Sequence, residues 1–153
     1  MKTTTDNLCA AAHELGHAFV GVHFGFPLQR VIVRSFLGGG YCQFDLSGVC
    51  GEQWWHVGVG LAAGRASEAI YREDQGIERF AGWGSGDDEA LFRQAAAAAG
   101  DTWPSDGSWE SATQEAIGLL LPAWSELLPL IDQLGTYGQL DTALVETLAG
   151  CVA

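Results

Sequence analysis

The chain has 153 residues, 48% of them hydrophobic, which is enough for one domain with a single substantial core and too few for two ordinary ones. Its 19 acidic and 7 basic residues give a net charge of -12, which repels phosphate backbones and anionic lipid surfaces and argues against nucleic-acid and membrane partners. Gly, Pro, Glu and Ser interrupt each apolar stretch before the roughly eighteen residues a bilayer crossing needs, and Met1-Lys2-Thr3-Thr4-Thr5-Asp6 lacks the apolar centre of a signal peptide, so a cytoplasmic location is the expectation.

Thr5 or Asp6 can cap a first helix running through Leu8, Ala11, Ala12, Leu15, Phe19 and Val22, with Gly25 as its stop and Pro27 beyond. Few charges interrupt it, so it should be buried on most sides. Residues 29–36 read as a strand, 38–40 as a Gly-Gly-Gly turn and 41–44 as a second short strand, a small sheet beside the first helix. Helical spacing then predicts a helix over 54–71, a Gly-rich turn over 80–86 and a helix over 87–99. Pro104 and residues 105–108 separate these from closing helices over 109–121, 123–134 and 140–152. The expected class is α+β, mainly α, as a single domain over 1–153. The 6 Trp residues read as packing rather than as a ligand platform. Cys9, Cys42, Cys50 and Cys151 form no CxxC pair; Cys42 and Cys50 could bridge one loop, but free thiols suit a reducing cytosol better.

The chemistry is concentrated in His13-Glu14-Leu15-Gly16-His17. Residues four apart on a helix lie one above the other, so His13 and His17 can offer two imidazoles to one tetrahedral zinc ion. Glu14 falls beside that ion but off the ligand face, where it can take a proton from a water that the ion has acidified. A catalytic zinc site normally has three protein ligands, so the third must come from elsewhere.

His23 has the metzincin spacing, but Val20 stands where that pattern has Gly and the sole Met is Met1. His23 is therefore read as a packing or surface residue. Glu68, in Gly64-Arg65-Ala66-Ser67-Glu68, could be a ligand from a later helix or could orient a ligating His from behind. His56, between Trp55 and Val57, reads as a core or edge histidine. The Asp87-Asp88 pair follows the Gly-rich turn and could reach across to the first helix, although Asp87, Asp88 and Glu89 would also complement a helix dipole.

Taken in order, these pieces resemble the peptidase domain of the FtsH-type, membrane-bound, ATP-dependent zinc proteases. His13-Glu14-Leu15-Gly16-His17-Ala18-Phe19-Val20-Gly21 resembles that family's active-site helix. Pro27 to Val33 and Gly40-Tyr41-Cys42-Gln43-Phe44 resemble its next two strands. Ala63-Gly64-Arg65-Ala66-Ser67-Glu68 resembles its Gly-Arg-Ala-Ala-Glu helix, and Gly84-Ser85-Gly86-Asp87-Asp88 the turn that supplies its third ligand. The closing helices match only in loose hydrophobic pattern.

The resemblance implies His13, His17 and an Asp of the pair as zinc ligands, with Glu14 as the base. Placing the family's Gly on Gly84 selects Asp88, and a one-residue shift selects Asp87. It also implies that Tyr41, Cys42, Gln43 and Phe44 offer a strand edge to an extended, unfolded substrate through backbone hydrogen bonds. The sequence contains no P-loop and no membrane segment, so any unfolding would come from an external unfoldase, and a homo-oligomer is an open possibility. Two functions follow as expectations: a zinc endopeptidase acting on unfolded polypeptides, or a zinc-binding regulatory or docking module without turnover. The intact Glu14 favours the first, since a structural site has no use for a base beside a ligand.

Overall fold

The computed structural model describes residues 4–34, 39–78 and 85–151. The end of the first expected strand at 35–36, Gly38 of the expected turn and 80–84 of the Gly-rich turn lie outside these residues.

Helix α1, Thr5–His23, starts earlier than the cap signals suggested. Thr4 is its cap: the Thr4 hydroxyl accepts the Asn7 amide at 3.1 Å, while Asp6 sits in the first turn, where it favours the positive end of the helix dipole. At the other end Gly25 takes φ 89°, a left-handed conformation open to glycine at little cost, and the chain reverses into the sheet.

Strands β1, Leu28–Arg34, and β2, Gly39–Phe44, pair antiparallel with Val31 opposite Cys42 and Val33 opposite Gly40. Gly39 and Gly40 therefore belong to the second strand rather than to a turn. The reason is steric: a Cβ on Gly40 would collide with the Ile32 carbonyl oxygen and lie 3.0 Å from Glu14 Cγ, so only a bare backbone can run this close to α1. The other edge of β1 is covered, since the Val33 amide donates to Gly138 O at 2.9 Å and Ile32 bridges Gln139. Among the described residues, β2 pairs with β1 alone.

Helix α2, Gln53–Asp74, extends past both expected ends, and α3, Ser85–Ala99, continues into a 3₁₀ turn, Gly100–Thr102. Helices α4, Trp109–Leu120, and α5, Trp124–Tyr137, are joined by a 3₁₀ turn, Leu121–Ala123, containing Pro122. The last helix is α6, Thr142–Cys151. By length and composition the run Trp109–Tyr137 could cross a membrane, with a mean hydropathy of 1.2 in its most apolar window. That continuity across the proline was not visible in the sequence pattern.

The result is mainly α with one small sheet, the expected class. Helix α1 is its axis, packed against α2, α4, α5, α6 and both strands. Leu15 and Phe19 of α1, Leu120 of α4 and Leu127, Ile131 and Leu134 of α5 are fully buried, each removing enough apolar surface from water to contribute about 1.5–3 kcal/mol. Between α1 and α2 the packing is closer. A Cβ on Gly16 would come within 2.5 Å of the Ala63 carbonyl oxygen and of Ser67 Cβ, so small residues let the two helix backbones meet. Trp55, Phe92, Trp103 and Trp109 form edge-to-face pairs 5.0–6.3 Å apart, a packing role as expected.

Candidate metal centre

One turn of α1 separates His13 from His17, and their rings meet edge to face with centroids 4.8 Å apart. Behind them runs α2. The Nδ1 of His17 lies 2.8 Å from the Gly60 carbonyl oxygen, and the Nδ1 of His13 lies 3.2 Å from Glu68 Oε1. A carbonyl and a carboxylate only accept, so both Nδ1 atoms carry the hydrogen and both Nε2 atoms face the other way. They face Asp88, whose Oδ2 is 3.1 Å from His13 Nε2 and 3.3 Å from His17 Nε2.

These separations suit a metal. Three atoms placed about 2.0–2.2 Å from one tetrahedral ion stand about 3.3–3.6 Å from each other, and the two separations from Asp88, 3.1 and 3.3 Å, lie at or just below that edge. The ligand atoms of His13, His17 and Asp88 all lie within 4.8 Å of one another. Space is left for this by Gly64, whose Cβ would strike His17 Nε2 and come within 2.8 Å of His13 Nε2. The donor set of two imidazoles and a carboxylate is one that zinc accepts.

The polar groups hold each other in place. Burial lowers the affinity of His13 for a proton, but hydrogen bonds to Asp88 and Glu68 outweigh it and push its pKa up to about 10. Burial alone would raise Asp88, yet its hydrogen bonds to His13 and His17 and their charge hold it well below the usual carboxylate range. Glu68 is likewise lowered against the pull of burial by His13 and Arg72. The Arg72 guanidinium and the protonated His13 ring offset two of the carboxylates Glu14, Glu68 and Asp88, and a divalent cation that displaced the His13 proton would take over its part of that balance.

Glu14 is 8% exposed and makes no hydrogen bond to a protein donor among the described residues. Burial raises its pKa above the ordinary value against the pull of His17 and His13. Together with Asp88 it lines a cleft of about 600 Å³, walled on one side by Gly39 to Phe44 of β2 and on the other by Leu61 and Leu91.

Each expected site residue can now be placed. His13, His17 and Asp88 converge; Asp87 is exposed, borders the cleft and is not part of that cluster. Glu68 stands behind His13. Tyr41, Cys42, Gln43 and Phe44 all border the cleft, with the Tyr41 hydroxyl accepting from Arg30 at 3.0 Å. Burial and the nearby Glu14 push the Cys42 thiol up, which keeps it protonated and chemically quiet. Cys42 and Cys50 are free thiols. His23 packs edge to face on Phe24, and His56 stacks flat on the same ring at 4.2 Å and borders the cleft.

Sequence reasoning passed over the Gly60 carbonyl, Gly64 as a steric cradle, and Arg72. A signal existed for one of them. Gly64 sits inside a helix, where it costs about 1 kcal/mol relative to Ala and so asks for a packing reason. No protein-family model matches the chain, and no curated protein matches it.

Proposed function

We propose that the chain is a zinc-dependent endopeptidase of the FtsH peptidase type that hydrolyses unfolded polypeptides without ATP chemistry of its own. The observation that carries this reading is the convergence of His13 Nε2 and His17 Nε2 on Asp88 Oδ2, at 3.1 and 3.3 Å, beside a buried Glu14 that has no hydrogen-bond donor among the described residues. His13, His17 and Asp88 would hold the ion. Bound there, zinc supplies Lewis acidity and lowers the pKa of water to about 7.

The chain's own groups do the rest. Glu68 and the Gly60 carbonyl engage both Nδ1–H groups, so that Nε2 is the atom each ring would give to the ion once the His13 proton held there by Asp88 is displaced. Glu14 would take a proton from the attacking water and return it to the departing amine; burial raises its pKa, which strengthens it as a proton acceptor. The edge of β2 that pairs with no described strand would offer backbone donors and acceptors to an extended segment, which selects for unfolded chain more than for particular side chains.

The test compares wild type with Glu14→Gln at equal zinc occupancy, using a permanently unfolded protein as substrate. Cleavage should fall at least 100-fold or so in the variant while zinc is retained. Equal cleavage by the two forms would reject Glu14 as the base. Zinc held by wild type without any cleavage would favour the docking-module reading.

A further inference from the structure

Arg72 stands behind the His13, His17 and Asp88 cluster, one carboxylate removed from it. It lies on α2, four residues after Glu68, and its Nε donates to Glu68 Oε2 at 2.8 Å. The other carboxylate oxygen, Oε1, receives His13 Nδ1. The same guanidinium donates through Nη1 to the Glu78 carbonyl oxygen at 3.0 Å, in the connection that leads from α2 toward α3 and Asp88. The Arg72 and Glu68 side chains are 12% and 15% exposed, so water competes little for either.

The geometry determines what this does. A lone carboxylate on a helix can rotate about its terminal torsion and swing its acceptor away from a ring N–H. Here both oxygens are taken, one by each partner, so rotation breaks two bonds at once. The guanidinium is in turn fixed, because its planar fork reaches two acceptors together. A lysine ammonium is a point charge on a flexible stem and lacks that fork.

We propose that Arg72 is a positioning residue for the metal: acting through Glu68, it sets the rotation and tautomer of His13 so that Nε2 stays aimed at the point shared with His17 and Asp88. This rests on the zinc reading above. His17 is the built-in control, since its Nδ1 partner is the Gly60 carbonyl and owes nothing to Arg72.

The experiment measures zinc affinity by chelator competition in the full chain for wild type, Arg72→Met, Arg72→Lys, Glu68→Ala and the double variant. Arg72→Met should weaken zinc about 10- to 100-fold, as loss of an outer partner typically does. Arg72→Lys should recover part of that loss. In the Glu68→Ala background, Arg72→Met should add less than about threefold, because residues acting in series do not add. In the zinc-loaded protein, the ring N–H resonance of His13 should shift or broaden in Arg72→Met while that of His17 stays put.

Unchanged zinc affinity in Arg72→Met and Arg72→Lys, a full additive loss in the double variant, or equal disturbance of both ring resonances would overturn the proposal while leaving the zinc site standing. A wild type that binds no zinc would overturn the zinc reading and this inference together. Arg72→Lys keeps the assay readable should the methionine variant fold poorly.

Discussion

The two sides of α1 are built from different materials. Toward α2 lie Gly16, Gly64, Ala63 and Ser67, which let the backbones close and leave room for imidazoles, with Glu68 and Asp88 supplying charge. Toward α5 and α6 the neighbours contribute Leu127, Ile131, Leu134 and Val145, which fill volume and carry no polar group. Gly135 of α5 also lets Leu8 of α1 come close, but the side toward α2 works mainly through what is missing and the other mainly through what is present. Stability and chemistry should therefore respond to different substitutions.

The largest expected effect is on the apolar side. Leu127→Ala leaves a cavity in a fully buried site and should cost about 2–5 kcal/mol in denaturant unfolding. Zinc bound per folded molecule should not change. If zinc affinity fell in parallel with stability, the two sides would not be separable.

Next comes the small-residue side. Gly64→Ala adds one methyl group, and Ala favours helix, yet that methyl would meet His17 Nε2 and His13 Nε2. Zinc affinity should drop about 10- to 100-fold, comparable to disturbing a ligand's support, with unfolding free energy held within about 1 kcal/mol. Intact affinity would show that the rings do not need the bare backbone.

A further effect concerns protons. His13 faces a carboxylate at each nitrogen, so without metal it carries both hydrogens, and its pKa is raised to about 10. A metal at Nε2 must displace one of them. Affinity should accordingly strengthen as pH rises, by up to about tenfold per unit, and keep strengthening between pH 6.5 and 8. A plateau above about 6.5, the ordinary histidine value, would mean that the carboxylates do not hold that proton.

The sequence made the helical half of the site readable, because His13, Glu14 and His17 are local to one helix and its period places them. Asp88 was distinguishable from Asp87 only through a family resemblance, since neither periodicity nor charge says which of two adjacent carboxylates turns inward. The Gly60 carbonyl could not be read at all: a backbone oxygen has no residue-type signal, and its use depends on how closely α2 approaches α1. Arg72 was legible only as an ordinary i,i+4 partner of Glu68. Gly39 and Gly40 misled in the usual way, for glycine marks both turns and places where backbone must pass close to something else. The mainly helical class with one small sheet was legible throughout, since it follows from hydrophobic period rather than from tertiary contact.

X-ray absorption at the zinc edge of the protein loaded with one equivalent tests the central claim most directly. Two imidazole nitrogens and a carboxylate oxygen should surround the ion at about 2.0–2.2 Å, with no sulfur neighbour near 2.3 Å, and Asp88→Ala should remove the ion or replace that oxygen. A sulfur shell, or an unchanged spectrum in Asp88→Ala, would contradict it.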